Sequence, residues 1–446
     1  MSSVDHYSLL DRYPHLRRLI VGYSGGVDSH VLLHGLATHR SHWPERRLEA
    51  VYIDHGLQAA SSAWAEHCAK ICRELDVPFR TLRVNARPTT GESPEAAARL
   101  ARYAAFSAAL DSSAALLTAH HRDDQAETLL LQLLRGAGPH GLAAMPAAAR
   151  LGQGWLLRPL LEVDRAELLA YARLHGLRWI EDASNASLDF DRNYLRRQIM
   201  PLLRERWPAA TRTLARSAQW CAETARWLDA EADADLAHIA APGLDCLPVS
   251  AVRELGEPRQ RNLLRRWLRR LKLPIPDARQ LTQLLHDLLS AAPDRQPCAG
   301  WPGGEMRRYR DALYAMPPLT GHDPDQQWVW RPNLDGWPPL DLPGVGCLQM
   351  QATGGAGLSA VALAGVTLTV RFRRGGERFH PVRRQHSQEL KKLLQEAGIP
   401  PWRRDRLPLL YREEVLLAVV GLGVAAEFAA APGNAGWQPV LEPLAG

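Results

Sequence analysis

One stretch, Ile20 to Leu33 (IVGYSGGVDSHVLL), constrains this chain more than any other. Leu19 to Val21 is a short apolar run, Tyr23-Ser24-Gly25-Gly26-Val27-Asp28-Ser29 follows it, and Val31 to Leu36 then has helical spacing. That order predicts a strand, a tight glycine-rich turn and a helix N-terminus. Stacked backbone N–H groups in such a turn, backed by the positive end of the helix dipole, suit a phosphate chain. Gly25 and Gly26 permit positive φ and a close approach to an anion, and Ser24 and Ser29 add hydroxyl donors. A Walker loop has Lys directly before its last Ser/Thr; here that position is Asp28. A carboxylate beside a triphosphate is tolerable only with a divalent cation between them, which predicts Mg²⁺ on Asp28. The same letters are also good turn and N-cap chemistry, so an ordinary strand-to-helix turn is the competing reading.

The surrounding pattern alternates. Strands are expected at Leu48–Ile53, Phe79–Val84 and Ala114–Thr118, and helices at Ser61–Leu75, Pro94–Leu110 and Asp123–Leu134. Alternation of this kind over 19 to about 185 predicts an α/β domain with a doubly wound parallel sheet. Ligands on such sheets bind beyond the carboxyl ends of the strands, so the glycine-rich turn, Asp54-His55-Gly56 and His120-His121 are expected to share one crevice. From about 210 to 315 the chain reads as helical and basic, without clear strands. Residues 316–345, crowded with Pro, Gly, Asp and Trp, read as a linker or irregular β segment. A small α+β domain is expected from 346 to 446.

The densest polar cluster is His120-His121-Arg122-Asp123-Asp124-Gln125-Ala126-Glu127-Thr128. Asp123 and Asp124 lie four and three residues before Glu127, so the carboxylates can converge on one helix face. There they would hold Mg²⁺ or a substrate ammonium, while the histidines suit proton transfer or phosphate contact. Acids also gather in a first helical turn for the dipole alone. Arg192-Asn193-Tyr194-Leu195-Arg196 places two arginines one helical turn apart, fit to neutralise a departing pyrophosphate, or simply a solvated helix face.

The loop resembles the SGGxDS motif of the PP-loop ATP pyrophosphatases, which split ATP between the α- and β-phosphates. The ordered set SGGVDS (24–29), DHGL (54–57), Glu95-x-x-x-Arg99-x-x-Arg102-Tyr103, HHRDDQAET (120–128), RGAGPHGL (135–142), RPLL (158–161), EDASN (181–185) and RNYLR (192–196) resembles the tRNA(Ile)-lysidine synthetase family within that superfamily. RFRRGGERFHPVRR (371–384) and GIPPWRRDRLPLLY resemble the family's C-terminal domain. The resemblance implies a Rossmann-like PP-loop catalytic domain over 1–212, a basic tRNA-contacting domain over 213–315, a linker over 316–345 and a tRNA-binding tail domain over 346–446. It implies that ATP adenylylates C2 of the wobble cytidine of the minor isoleucine tRNA and that free L-lysine displaces AMP. Ser24, Gly25, Gly26, Val27, Asp28 and Ser29 would then hold the triphosphate, and Ile53 and His55 the adenosine. Asp124 and Glu127 would take lysine, and Arg192 or Arg196 the adenylylated base. His120 or His121 would touch phosphates, and Arg99, Arg102, Arg135 and Asn193 would contact the RNA.

The balance of charge fits an RNA partner. The chain carries a net charge of +6. Between 371 and 384 arginines at 371, 373, 374, 378, 383 and 384 interleave with Phe372 and Phe379, the mixture that grips RNA phosphates and bases. Of these, Arg371, Arg373, Arg374 and Arg378 are the expected tRNA contacts, projected by a Gly375-Gly376 hairpin turn. Arg265, Arg266, Arg269, Arg270 and Lys272 form a second basic run. Neither DNA nor a membrane is an expected partner, since no apolar run approaches the length of a membrane span. The six scattered cysteines, without a C-x-x-C, and an N-terminus unlike a signal peptide fit a reduced, cytoplasmic setting. A thiolase of the same superfamily would need paired catalytic cysteines, and Cys68 and Cys72 at helical spacing suit packing better. An amidating ligase has no use for the arginine cluster, and a non-catalytic RNA scaffold has none for an intact SGGVDS.

Overall fold

The computed structural model describes residues 4–56, 61–85, 94–182, 187–239, 246–292, 295–334, 336–382 and 384–443. Leu57, Ala183 to Asn185 and Arg383, each part of a motif above, lie outside them. The chain divides into two compact units, Met1–Ala230 and Glu231–Gly446.

In the first unit the apolar run before the glycine-rich turn becomes the central strand β1 (Arg18–Gly22), buried through its middle. It pairs in parallel with β2 (Arg47–Asp54) on one side and β4 (Ala114–Leu117) on the other. β3 (Phe79–Arg83) extends the sheet beyond β2. A hairpin of β5 (Ala148–Leu151) and β6 (Gly154–Leu157) completes the order β3-β2-β1-β4-β6-β5, with β6 parallel to β4 and β5 antiparallel at the edge. That hairpin is absent from the pattern read above: each arm has four residues, too few for alternation to register. Gly152, at φ 56°, makes its turn.

Helix α1 (Val27–Thr38) encloses the apolar run Val31 to Leu36, and α2 (Ser61–Glu74), α3 (Pro94–Ala108) and α4 (Arg122–Leu134) match the expected segments to within about two residues at their ends. α1 is buried along nearly its whole length, with Val31, Leu32 and Leu33 fully enclosed. One core packs α1 and α2 against the sheet, and a second places Phe106 of α3 and Leu110 just after it on the opposite face with Ile20, Val51 and Leu116. Helices therefore cover both faces, as a doubly wound sheet requires. A short α5 (Pro139–Leu142) and α6 (Arg165–Leu174) follow. Next, α7 (Asp191–Tyr194) and α8 (Met200–Arg206) flank a π-helical turn at Leu195–Ile199. Pro201 has no N–H to return to the preceding turn, and the helix widens just before it. α9 (Ala210–Ile239) carries the chain into the second unit.

The second unit begins with α10 (Val249–Glu254), α11 (Glu257–Arg270) and α12 (Ala278–Ser290). Contrary to the helical expectation, strands Cys298–Trp301, Gly304–Tyr309 and Ala312–Met316 form a sheet there with Leu247–Pro248. Charged Arg307 and Arg308 masked this pattern: the Arg308 guanidinium is buried and donates to the carbonyls of Leu288 and Ala291 that end α12. Residues 316–345 also contain strands, Gln327–Trp330 and Leu340–Leu342, and Trp330 and Leu342 enter the core of the terminal β region. Tryptophan inside a Pro/Gly-rich stretch marked a packed element there, not a spacer.

Candidate active site

β1, β2 and β4 all end at one cavity of about 410 Å³. Its wall carries Ser24, Asp28 and Ser29 from the loop, Ile53 and His55 from the end of β2, His120 and Asp124 from the start of α4, Arg102 from α3, and Arg196. The expected crevice thus brings together residues from five separate sequence motifs. Asp182, Thr118 and Trp64 also line it; nothing in their spacing singled them out, although Asp182 belongs to the EDASN motif.

The loop is held by its own hydroxyls. Ser29 Oγ donates to the Gly26 carbonyl at 2.9 Å and lies 3.1 Å from Ser24 Oγ. Gly25 sits at φ 81°, where a Cβ would lie 2.6 Å from Ile180 Cδ1 and 3.1 Å from Cys68 Sγ. Its carbonyl accepts from the Ile180 N–H at 2.9 Å. Gly25 is therefore required by φ and by packing from below, while Gly26, at φ −73°, leaves the upper side open. Val27 is buried as the first residue of α1.

His121 is completely buried and stands among three carboxylates, 3.6 Å from Asp28, 3.4 Å from Asp124 and 3.8 Å from Asp123. Burial alone would lower its pKa, but those carboxylates outweigh burial and raise it above the ordinary value. Being enclosed, it cannot touch a phosphate; its place is beneath Asp28. His120 lies on the cavity wall, with Nδ1 2.9 Å from Thr118 Oγ1. Burial, helped by Arg158 and Arg192, lowers His120 to about 4, so it is neutral at physiological pH. Arg158, from the RPLL motif, is itself buried and donates to the Pro146 carbonyl.

The acidic cluster splits. Asp124 Oδ1 accepts from Arg196 Nη2 at 2.9 Å, and Glu127 takes Arg196 in a two-point grip, 2.7 Å from Nε and 2.9 Å from Nη2. Burial holds Glu127 above its ordinary pKa despite that partner, whereas for Asp124 the nearby His121, His120 and Arg196 overcome burial and hold it low. Asp123 does not converge with them: it accepts the Arg165 N–H at 3.0 Å and pairs with Arg204. The two arginines of RNYLR also separate, since Arg192 donates to Thr128 Oγ1 on α4 at 3.0 Å. Asn193 donates to the Ser187 carbonyl, and Arg135 is exposed 4.0 Å from Asp191. Arg99 and Arg102 stack over Tyr103 at 4.9 and 5.7 Å.

Mg²⁺ would find a suitable donor. Asp28 Oδ1 is buried without a hydrogen-bond partner, and Mg²⁺ is ordinarily held by one or two carboxylates together with substrate phosphates. Among the described residues no group of three His, Cys, Asp or Glu forms a closed protein cage for a metal.

In the second unit the basic runs are partly occupied. Arg266 and Arg270 both pair with Asp233, at 2.6 Å each. Arg371 stacks 3.8 Å over Tyr411 and reaches Glu414, and Arg373 pairs with Asp405. Arg374 is half-exposed near Asp325, and Arg378 is exposed, donating to the Ser387 carbonyl. Gly375 and Gly376 do have positive φ, but they do not join paired strands. Glu377 caps the bend by accepting the Arg374 and Gly375 N–H groups, so the hairpin expectation is corrected.

Comparison with known proteins bears on the family of the chain. Family models match as a PP-loop domain over residues 4–203, a TilS substrate binding domain over 247–314 and a TilS substrate C-terminal domain over 368–441. The chain is 43% identical to the tRNA(Ile)-lysidine synthase of Coxiella burnetii, over 95% of this chain and 93% of that one. It is 48% identical to the enzyme of the same name from Alkalilimnicola ehrlichii, over 93% and 91%. A U34-tRNA thiolase of Methanococcus maripaludis with a [4Fe-4S] cluster is a looser likeness, 17% identical over 46% of this chain and 72% of that one, TM-score 0.41. With a PP-loop cavity of this make-up and identity sustained along nearly its whole length, the chain belongs to the tRNA(Ile)-lysidine synthase family.

Proposed function

We infer that this protein uses ATP to ligate free L-lysine to C2 of the wobble cytidine of the minor isoleucine tRNA, releasing pyrophosphate and AMP. The observation that carries the reading is one cavity that joins the phosphate loop to Asp124 and Arg196, in a chain matching a lysidine synthase over 95% of its length. The cytidine C2 oxygen attacks the α-phosphorus and pyrophosphate leaves; the lysine ε-amine, having lost a proton, attacks C2 and AMP leaves.

Ser24 to Ser29 cradle the phosphates, and Ile53 and His55 border the adenosine. Asp28 would hold Mg²⁺, which would supply positive charge to offset the phosphates. His121 fixes Asp28 from below, and neutral His120 offers a ring nitrogen to the cavity. Asp124 and Glu127, when ionised, exceed Arg196 by one negative charge, which suits one lysine ammonium. Arg196, turned to the cavity, stabilises the adenylylated base. Arg99, Arg102, Arg135 and Asn193 are assigned to the anticodon loop, and Arg371, Arg373, Arg374 and Arg378 to other parts of the tRNA, with Arg374 and Arg378 the more available. Residues 1–212 act as the catalytic part, 213–315 and 346–446 as tRNA-contacting parts, and the cytoplasm is the setting. A thiolase reading is disfavoured because Cys68 and Cys72 are buried, with burial pushing both thiols up to about 12.

AMP release from α-labelled ATP, with lysine and tRNA each present or omitted, tests this. Turnover is expected only with both. AMP formed with tRNA but indifferent to lysine overturns the lysine assignment.

A further inference from the structure

On α9 two tryptophans stand in water where a folded chain ordinarily hides them. Trp220 is 58% exposed and Trp227 62% exposed, whereas Trp267 and Trp330 of the second unit are buried. At about 100° per residue, Arg212, Arg216, Trp220, Glu223 and Trp227 fall within an arc of about 80° on one helix face. The Arg216 guanidinium lies 5.4 Å over the Trp220 ring. At its N-terminal end this face runs into a cavity of about 590 Å³ lined by Arg165, Arg204 and Arg212 together with Asp123 and Asp164. Arg204 pairs with Asp123, and Arg122 and Arg212 share Asp164. Four arginines thus meet two aspartates, leaving two positive charges, and Arg165 Nε is buried without a partner.

We propose that this cavity and the exposed face of α9 form one RNA-binding strip. Phosphates of the tRNA lie in the arginine cavity and along Arg212 and Arg216, and unstacked bases lie on Trp220 and Trp227. The proposal rests on the tRNA reading above and names a part of the surface that meets it. Arginine laid on an indole gives a flat cationic platform, the pairing that holds single-stranded nucleic acid with little regard to sequence. Glu223 is the single acid of the arc between 210 and 230; phosphate contact therefore ends at Arg216, and aromatic planes take over beyond it. A second copy of this chain is a poorer occupant, because it would set arginine against arginine.

The test uses the full chain with W220A/W227A and W220F/W227F, measuring tRNA affinity by anisotropy at about 0.15 M salt and the KM values for tRNA and ATP. Loss of a stacked base costs about 5- to 150-fold in affinity. The alanine pair is therefore expected to raise the tRNA Kd and KM at least tenfold and to leave the ATP KM in place. The phenylalanine pair, which keeps an aromatic plane, should recover most of that loss. R212A/R216A should flatten the dependence of log K on log salt by about 1.4. Alanine variants that bind tRNA as the wild type does overturn the strip and leave the enzymatic reading intact. A wild-type dimer that the alanine pair splits, with tRNA affinity unchanged, assigns the face to a second copy and also overturns it. Wild-type protein that binds no tRNA overturns both readings.

Discussion

Arg196→Ala probes the centre of the site. Arg196 serves two carboxylates, donating to Asp124 at 2.9 Å and to both oxygens of Glu127 at 2.7 and 2.9 Å. Glu127 is 1% exposed and Asp124 7% exposed, so neither can exchange the lost guanidinium for bulk water. Removing one partner from a buried, hydrogen-bonded ion pair costs about 3–5 kcal/mol. In a unit of this size each kcal/mol moves the melting temperature by about 2–4 °C, so a fall of roughly 6–20 °C is expected. Burial already holds Glu127 above its ordinary pKa, and without Arg196 it rises further while the unfolded value is unchanged. The folded variant then binds more protons than the unfolded chain above the ordinary carboxylate range. Its stability must fall as pH rises through that window, and the deficit against wild type is smaller at pH 5 than at pH 8. Urea unfolding at the two pH values measures this. Arg196→Met combined with Glu127→Gln, which removes both charges of the two-point grip, should recover part of the stability but none of the activity. A deficit below about 1 kcal/mol, or one equal at both pH values, refutes the reasoning.

Three further outcomes follow from the same geometry. Asp28→Asn should abolish AMP formation at any Mg²⁺ concentration while tRNA affinity stays within about threefold, under 1 kcal/mol; AMP formation that extra Mg²⁺ restores fully would contradict the role of the carboxylate charge. Gly25→Ala forces a side chain to φ 81° with its Cβ 2.6 Å from Ile180 Cδ1, so a loss above about 1 kcal/mol and a raised ATP KM are expected in melting and kinetic assays. Burial lowers His30 and His120 to about 4. At these two positions the unfolded chain takes up protons first, so their contribution to stability is complete above about pH 6.5 and is lost as pH falls toward 4. His30→Leu should flatten that slope in acid denaturation, and an unchanged slope would remove His30 from it.

The sequence already carried the phosphate loop, the alternation around it and the crevice they share, because a strand, a glycine-rich turn and a buried helix are written in consecutive letters. The partners supplied from elsewhere in the chain were not legible. Helical spacing put Asp123, Asp124 and Glu127 on related faces of α4. It could not reveal that Arg204 and the start of α6 draw Asp123 away, or that Arg196 fills the space between the other two. His121 looked as accessible as His120 because adjacent letters say nothing about which side chain turns inward. The cations of α11 read as a basic run open to RNA, yet Arg266 and Arg270 are bound to Asp233, some thirty residues earlier. The strands around Arg307 and Arg308 escaped for a related reason: the Arg308 guanidinium is satisfied by carbonyls that only the fold brings near.

The widened turn at Leu195–Ile199 makes the length of a helix, and not only its letters, part of the site. Deleting one residue there, Gln198 for example, would let the helix close to ordinary pitch. It would also take Arg196 out of the widened turn that carries it to Asp124 and Glu127, and draw the helix in by about one residue's rise. A chain shortened in this way would gain regular backbone hydrogen bonds and lose the guanidinium between Asp124 and Glu127, so greater helical order and inactivity would come together. No replacement of one amino acid by another reproduces that change. In this chain a gap of a single position in RNYLR and the residues after it is therefore expected to alter function, even with every chemically active side chain retained.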